Sequence, residues 1–387
     1  MLLVTVLGIA LGAGGVALLC PFGRDSLQRT ADRRDAQVKL SHAAILAKIE
    51  PSVVDITATL TYDGETASGT GFVIDSRSGL ILTNNHVIRD ATSITVTAPA
   101  TGLTYPADIV GVDVAADVAV LKIRPVTGLT AAPLADSDAV VVGMAVLSFG
   151  NQAGAGGSPT VAPGVITGTG RTIQADEGAA GFSETLHGML ATTARIEPGD
   201  SGGPLVGTAG TVVGVDTAAG TDGAATGYAI PIGAAMAAEQ QITGRRPGQG
   251  ISLGVGGFLG VIVGSGTARS PAEQQAQARR TAAGAPLPSG TSGCVPTQRG
   301  VTSPATIAPA PAGALVVGVL CGTGAAAAGI AAGDVITAAD GHQVESADEL
   351  TAIMGGCRPG TAVPVTWIGT GGNAQTSWIR LDRAPAA

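Results

Sequence analysis

The sequence predicts a mainly β protein of about two domains, and three observations support this prediction. The chain has 387 residues, which corresponds to roughly two domains of ordinary size. Glycine is abundant, at 59 residues, whereas aromatic residues make up only 3% of the chain. Short runs of Val, Ile and Thr recur between glycines up to about residue 230, a spacing typical of antiparallel barrels or of a sandwich.

Composition narrows the class of partner and cofactor. Hydrophobic residues make up 45% of the chain and charged residues 13%, so it can bury a large core. The net charge of −8 and the dispersed cations argue against nucleic acid as a partner. The chain has no phosphate-binding loop, no HExxH, no EF-hand loop and no C-x-x-C pair. We therefore expect neither a metal nor an organic cofactor.

The N-terminus predicts export. Residues 1–19 carry no charge, and this length is about that of a membrane-spanning helix. We interpret residues 1–20 as a membrane anchor or signal segment, which places the protein outside the cytoplasm, anchored or secreted at the cell envelope. The arginines that follow oppose translocation, and an upstream start with its own basic residues would resolve this conflict.

A first domain is predicted over residues 43–244, after a linker at 21–42. It begins with a short helix in HAAILAKI, which Pro51 stops. Short strands follow, and IPIGAAMAAEQQI at 230–242 predicts a helix that ends at Gly244. A linker at 245–257 closes this part of the chain.

A second domain is predicted over 258–383. FLGVIVG at 258–264 predicts a strand, and the Ala-, Pro-, Ser- and Gly-rich residues 265–313 predict a flexible, disordered insertion. A helix is predicted behind Ser346, because Glu349 follows three positions later as in a capping box. AVPVTWI and SWIRL predict the last strands.

The four cysteines allow at most one disulfide in the second domain. Cys20 closes the N-terminal apolar run, and the other three lie in the last third of the chain. Which pair forms among Cys294, Cys321 and Cys357 stays open, because sequence separation does not settle connectivity.

The stretch EPGDSGGPL predicts a nucleophile at Ser201. A serine hydroxyl reacts only when a neighbouring base removes its proton, and His86 in TNNHV supplies an imidazole. Asp117, which leads the β-type run VAVLK, supplies the carboxylate that orients this base. Gly199 and Ser201 are predicted to form an oxyanion hole with their N–H groups, each worth about 3 kcal/mol.

Competing candidates exist for two of these roles. Asp113 lies four residues before Asp117 and could serve as the acid, but VAVL follows Asp117 directly. His42, His187 and His342 are interpreted as ordinary surface or loop histidines.

At these residues the sequence resembles the trypsin-like serine proteases, and more narrowly the HtrA family. TNNHV, the D-x-A-V-L-K run at Asp117, GDSGGP and the later GYAIP carry the resemblance. It implies a chymotrypsin-like double β-barrel of six strands each, with the triad in the cleft between the barrels. It also implies an endopeptidase of unfolded or damaged proteins, with homo-oligomers possible. Asp200 departs from the Asn of many members, and we expect it to find another hydrogen-bond partner.

The second domain resembles a PDZ domain. This resemblance implies that FLGV forms the carboxylate-binding loop and second strand, where a C-terminal peptide would add as a further strand. The helix near 346–354 would form the other wall of the groove. The residues assigned to peptide binding are Phe258, Leu259, Gly260 and Val261.

A shallow apolar specificity pocket is expected beside the triad. Ile196 and Tyr228 would line it and favour Val, Ala or Leu before the cleaved bond, and Arg195 would repel cationic side chains if it faced the pocket. The substrate backbone is expected to pair with the segment Asp216, Thr217 and Ala218.

A second function of another class is open to this sequence. The PDZ-like domain could dominate, as a peptide sensor or chaperone in which proteolysis is latent. A third interpretation, an inert surface adhesin, predicts neither labelling of Ser201 nor peptide binding.

Overall fold

The structure, a computed structural model, describes ten segments of the chain. These are residues 40–124, 128–136, 140–151, 157–177, 182–219, 227–245, 251–264, 293–299, 301–304 and 306–386. The predicted anchor at 1–20 and nearly all of the linker at 21–42 lie outside these residues. In the described part of the chain, no helix has the length and apolar character needed to span a membrane.

The first barrel is a closed sheet of six antiparallel strands. Helix α1 (His42–Ile49) precedes it; the Ser41 hydroxyl caps this helix by accepting from the Ala44 N–H at 3.2 Å. As predicted, the helix ends before Pro51, which lies in a single 3-10 turn. The strands are β1 (Val53–Leu60), β2 (Glu65–Asp75), β3 (Leu80–Thr83), β4 (Ser93–Ala98), β5 (Leu103–Asp113) and β6 (Val118–Lys122). Closure comes from β5, which pairs with β4 along one edge and with β6 along the other.

The second barrel repeats this closure with six more antiparallel strands. They are β7 (Ala145–Gly150), β8 (Thr160–Glu177), β9 (Phe182–Thr192), β10 (Pro204–Gly207), β11 (Val212–Ala219) and β12 (Gly227–Pro231). This is the predicted double barrel. The one-turn helix α2 (Asn85–Ile88) leaves the first barrel after β3.

Helix α3 (Ile232–Thr243) follows the second barrel and ends at Gly244, as predicted. Its buried apolar residues, including Ile232 and Ile242, belong to a hydrophobic cluster shared by both barrels. Phe72 of the first barrel and Phe149 of the second are both completely buried in this cluster. A common core therefore holds the barrels together and fixes the strand ends that face each other.

The C-terminal part of the chain forms a separate sheet with its own core around the buried Trp367. Strand β13 (Ile251–Leu253) still belongs to the first barrel, because it pairs with β5. The remaining elements are β14 (Gly257–Phe258), β15 (Val261–Val263), β16 (Ala314–Val319), α4 (Gly324–Ala328), β17 (Val335–Ala339), β18 (His342–Gln343), α5 (Ala347–Gly356), β19 (Ala362–Ile368), β20 (Ala374–Arg380) and β21 (Asp382–Arg383). As predicted, Ser346 caps α5 by accepting from the Glu349 N–H at 3.2 Å.

The predicted strand at 258–264 is interrupted. Strand β14 pairs with β21, whereas β15 pairs with β16, so the chain changes partner between them. Gly260 makes this change possible, because its φ of +86° lies in a region that L side chains rarely adopt.

The prediction of a disordered insertion over 265–313 is wrong for its described C-terminal part. Cys294 is disulfide-bonded to Cys321, which also settles the open question of pairing. Ala308 and Ala310 are buried, and the Ala308 N–H donates to the Gly333 carbonyl at 2.8 Å. Composition pointed to disorder, but small alanine side chains and one covalent cross-link suffice to pack this segment onto the sheet. Residues 265–292 lie outside the described residues.

Candidate active site

His86 is held at the start of α2 by the residues around it. Strand β3 ends at Thr83, and Asn84 then turns the chain into the helix. The Asn84 amide donates to the main-chain carbonyl of Asp117 at 2.9 Å, which ties the end of β3 to the start of β6. The His86 side chain remains 18% exposed, so the imidazole is only partly buried.

Asp117 is a buried carboxylate aimed at this histidine. Its φ of +52° is uncommon for a residue with a side chain, although Asp tolerates this region better than most. One carboxylate oxygen, Oδ1, accepts from the His86 main-chain N–H at 3.0 Å, and Oδ2 lies 2.8 Å from His86 Nδ1. The carboxylate therefore fixes both the position of His86 and the orientation of its ring.

The pKa of Asp117 is lowered despite complete burial. Burial by itself raises this pKa, because it disfavours the charged form. The attraction of His86 and the hydrogen bonds from His86 and Thr217 outweigh burial and hold the pKa below its ordinary value. Asp117 is therefore an anion at neutral pH, as an orienting residue requires.

Thr217 joins Ser201 to this pair. The Thr217 hydroxyl donates to Asp117 Oδ2 at 2.6 Å, and the Thr217 carbonyl accepts from the Ser201 hydroxyl at 3.1 Å. The serine, the aspartate and the histidine bonded to it thus gather around one residue of β11. The structure brings together three side chains that lie far apart in the chain, at positions 86, 117 and 201.

Ser201 follows a tight turn whose backbone form depends on Gly199. The Asp200 N–H donates to the Glu197 carbonyl at 2.9 Å, with Pro198 and Gly199 at the central positions. Gly199 has a φ of +100°, which is what a type II turn demands of its third residue. The Asp200 carboxylate accepts from the Glu197 N–H at 2.8 Å, so Asp200 has the local partner that its departure from Asn required.

The two glycines after Ser201 let the turn approach the first barrel and β11. Gly202 has a φ of +87°, and a side chain there would overlap the Thr70 carbonyl and the Thr83 hydroxyl. The Gly202 N–H donates to the Asp216 carbonyl at 2.7 Å, and the Asp216 N–H donates to the Gly203 carbonyl at 2.8 Å. The nucleophile turn is thus fastened on both sides.

Thr70 and Thr83 are residues of this site that sequence reasoning missed. Both are buried in the first barrel, and the Thr83 hydroxyl donates to the Thr70 carbonyl at 2.7 Å. A signal existed for each: Thr70 lies between two glycines before an apolar strand, and Thr83 opens TNNHV.

Of the residues expected to line the specificity pocket, two are buried and one is exposed. Tyr228 lies in β12. Ile196 and Tyr228 are both buried, at 5% and 9% exposure. Ala218 pairs with Tyr228 between β11 and β12. Arg195 is 77% exposed and forms an ion pair with Glu197. Its charge is therefore paired at the surface and does not line the expected pocket.

Asp216 corrects the expectation that it pairs with substrate backbone. Both of its main-chain polar groups are occupied by the nucleophile turn, and its side chain is completely buried. The Ser148 hydroxyl donates to Asp216 Oδ2 at 2.7 Å. Burial raises the pKa of Asp216 well above its ordinary value, only partly offset by this hydrogen bond, and the nearby Asp200 raises it further. Asp216 is therefore an internal support of the turn.

The PDZ-like groove is a cavity of about 540 Å³. One side is formed by the residues assigned to peptide binding, Phe258 to Val261, and the other by Leu350 and Met354 of α5. The first barrel also reaches this cavity, through Tyr62, Asp63 and Asp90. The rings of Tyr62 and Phe258 lie 5.1 Å apart, centre to centre.

Clusters of potential metal ligands were sought among the described residues. Within those residues, no three His, Cys, Asp or Glu side chains are grouped so that they could hold an ion.

Two closed barrels with this site between them form the architecture of the trypsin-like proteases, and the third sheet with its groove-forming helix is that of a PDZ domain. Comparison with known families agrees. Residues 69–215 match the trypsin-like peptidase domain, and residues 292–376 match the PDZ domain.

Two curated proteins and one solved structure are similar to this chain. The serine protease PepD of Mycobacterium tuberculosis is 30% identical over 88% of this chain and 66% of its own length. The periplasmic serine endoprotease DegP of Escherichia coli is 32% identical over 75% of this chain and 52% of its own length. A solved structure, the HtrA-type protease AlgW with a tripeptide, is 27% identical, with a TM-score of 0.46 over 90% of this chain and 99% of that one.

The chain belongs to the HtrA-like family of trypsin-type serine proteases that carry a PDZ domain. It spans two thirds or less of the length of these two curated relatives.

Proposed function

We propose that this protein is a serine endopeptidase that hydrolyses peptide bonds of unfolded or damaged proteins. The observation that carries the proposal is the arrangement around Thr217, which holds the Ser201 hydroxyl at its carbonyl and Asp117 at its hydroxyl. His86 is bonded to the same aspartate at 2.8 Å. The serine protease names of the relatives support the reaction class.

The reaction proceeds by acyl transfer in two halves. With its Nδ1 proton held by Asp117, the neutral His86 ring presents Nε2 as the base. Nε2 takes the Ser201 proton while Oγ attacks the peptide carbonyl, and the N–H groups of Gly199 and Ser201 stabilise the oxyanion. The imidazolium returns the proton to the departing amine. Water then repeats the sequence on the ester, which releases the acid and restores Ser201.

The test is covalent labelling with a fluorophosphonate, combined with cleavage of casein. We expect wild type to be labelled at Ser201 and to degrade casein, and Ser201→Ala to do neither. Because the hydroxyl is partly buried and the change removes one atom, the fold should persist, and circular dichroism checks this. Absence of both signals in a folded wild type would rule out the protease.

For substrate choice, the two buried apolar residues Ile196 and Tyr228 support a shallow pocket. We propose a preference for Val, Ala or Leu before the cleaved bond. Since Arg195 is paired with Glu197 at the surface, pocket shape and not charge repulsion would exclude long cationic side chains. A peptide library cleaved mainly after Lys or Arg would contradict this preference.

A second candidate function is favoured by the groove between α5 and β15. Its 540 Å³ volume and its contact with the first barrel fit a PDZ domain that binds C-terminal peptides and senses them for the protease domain. In this alternative, proteolysis is latent. Peptide binding by calorimetry, without fluorophosphonate labelling, would support the sensor over the enzyme.

We also propose a location outside the cytoplasm. The periplasmic relatives support it, and so does the Cys294–Cys321 disulfide, because such bonds persist in oxidising compartments. Residues 1–20 would act as the signal or membrane anchor. Mass spectrometry of the mature N-terminus distinguishes a cleaved signal from a retained anchor. Homo-oligomers, proposed from the family resemblance, would be tested by light scattering.

A further inference from the structure

Thr70 lies in β2, completely buried where the first barrel meets the nucleophile turn. Its hydroxyl accepts from the Asn151 main-chain N–H at 3.0 Å and donates to the Gly199 carbonyl at 2.6 Å. Since the Asn151 N–H can only donate, the hydroxyl proton is left for Gly199. A one-way chain of hydrogen bonds therefore runs from the second barrel, through Thr70, into the turn.

The backbone of Thr70 holds the same turn at a second point. Its N–H donates to the Ser201 carbonyl at 2.9 Å, and its carbonyl is itself held by the Thr83 hydroxyl at 2.7 Å. One residue of the first barrel thus contacts the carbonyls of both Gly199 and Ser201. These are the two residues whose N–H groups are proposed to form the oxyanion hole.

The Gly199 carbonyl lies between those two N–H donors along the chain. It belongs to the peptide group that links Gly199 to Asp200, after the first donor N–H and before the second. Holding this peptide group restrains the backbone torsions on either side of it, and so limits how far the two donors can move relative to each other. Such donors stabilise the transition state because they are oriented in advance and need no reorganisation during the reaction.

We propose that Thr70 is a positioning residue for the oxyanion hole, acting through the carbonyl of Gly199. The inference rests on the proposed serine protease function and extends it to a residue outside the triad. Thr70 does not contact substrate. Its hydroxyl holds the Gly199–Asp200 peptide so that both N–H groups point at one oxygen.

The test compares Thr70→Val, which replaces the hydroxyl with a methyl of similar size, with Thr70→Ser, which retains the hydroxyl. The substrate is a peptide 4-nitroanilide with valine before the cleaved bond. Loss of a whole oxyanion donor costs about 10²–10³-fold in kcat. For loosened donors we expect Thr70→Val to lose about 10–100-fold in kcat, with little change in KM. Thr70→Ser should return to within about threefold of wild type.

The affinity for a transition-state analogue distinguishes a positioning role from a purely structural one. A peptide boronic acid should bind Thr70→Val more weakly by about the same factor as the loss in kcat, whereas affinity for the matching peptide amide should not change. Thr92→Val is the control, because its hydroxyl also donates to a main-chain carbonyl, that of Thr59 at 3.0 Å, away from the nucleophile turn. It should lose stability without losing kcat.

The outcomes separate the two proposals. An active wild type whose kcat and boronic acid affinity survive Thr70→Val would overturn the role of Thr70 and leave the protease intact. An equal loss in Thr70→Val and Thr70→Ser would also overturn it. A wild type that neither cleaves nor is labelled would refute the proposed function and this inference together. If Thr70→Val does not fold, Thr70→Ala removes the same hydroxyl without placing a methyl against the two main-chain groups, and the same comparison applies.

Discussion

Thr217 shows how much a single residue contributes to the site. From sequence it was expected only to pair with substrate backbone, yet its hydroxyl and carbonyl contact Asp117 and Ser201. A hydroxyl that donates to a buried carboxylate stabilises its charged form. Thr217 therefore supports Asp117 as the partner of His86, because its hydroxyl and His86 Nδ1 both lie within hydrogen-bond distance of Asp117 Oδ2.

Asp117→Asn tests whether Asp117 is the carboxylate that orients His86. The amide cannot hold His86 in the right tautomer or stabilise the imidazolium, so kcat on the valine peptide should fall by about 10⁴-fold. The matched control is Asp113→Asn. Asp113 is the competing acid, but its carboxylate accepts from the Ala116 N–H at 3.1 Å in a local turn. The control should stay within about threefold of wild type; equal losses in both variants would refute the assignment.

The raised pKa of Asp216 predicts that the stability of the folded protein decreases as the pH rises above about 4. Its pKa in the folded protein is raised well above 3.8, because the carboxyl is buried. The folded protein thus holds this proton more tightly than the unfolded chain does. Its contribution to the free energy of unfolding is greatest in acid and falls as the pH rises from about 4 to the raised pKa, by about 1.4 kcal/mol per pH unit.

Asp216→Asn removes this titration while it keeps an oxygen for Ser148. We expect the variant to gain stability relative to wild type as the pH rises from 4 to 7.5. Urea denaturation of both proteins at the two pH values measures the difference. A gap that does not change with pH would show that Asp216 does not titrate in this way.

At the scale of the element, the nucleophile turn depends on glycine for two separate reasons. Gly199 and Gly202 both have positive φ, which costs an L residue about 1–2 kcal/mol. Gly202 also lies against Thr70 and Thr83, where no side chain fits. Strain and overlap can be separated, because other glycines in the protein have only the first constraint.

Gly202→Ala should destabilise the protein by about 3 kcal/mol or more and abolish cleavage, because it combines positive φ with overpacking. Gly170→Ala is the matched control: its φ is +67°, but the space around it is open. The control should lose only about 1–2 kcal/mol and remain active. Thermal denaturation and peptide hydrolysis measure both effects, and equal losses would mean that overlap is unimportant at Gly202.

At the scale of the whole molecule, the PDZ domain contacts the first barrel through side chains close to its disulfide. Gln298 donates to Asp63 at 3.0 Å, and Arg299 contacts Glu65 at 2.6 Å. At the other end, the Ala386 N–H donates to the Ala91 carbonyl, and Ala386 is buried. The groove is therefore bordered by both domains, so a bound peptide would contact the protease domain directly.

The disulfide should stabilise this part of the molecule. It joins positions 27 residues apart, and closing a loop of that length corresponds to about 3.5 kcal/mol in the chain-entropy treatment. We expect the double variant Cys294→Ser with Cys321→Ser to lower the unfolding temperature of the PDZ transition in calorimetry, and dithiothreitol to do the same to wild type. Cys357→Ser, which changes a free thiol, should not. If reductant leaves the transition unchanged, the cross-link contributes nothing to stability.

The predictable parts of this protein were those encoded by local signals. The helix behind Ser346 and the helix that ends at Gly244 follow from capping and glycine, and the triad residues lie in short motifs. The break at Gly260 and the packing of the described residues between 293 and 313 were not predictable in this way. Both depend on which distant residues become the partners, and local propensity carries no information about that choice.

By itself, the sequence determined the β-rich class and, through its family motifs, the double barrel, and it singled out Ser201, His86 and Asp117 as the candidate triad, because each depends on residue types at short spacing. Only the tertiary structure decided that Thr217 joins them, that Asp216 faces the interior and that Thr70 reaches across to Gly199. These contacts form between strands far apart in the chain, and their geometry is set by barrel closure and by the core that the two barrels share.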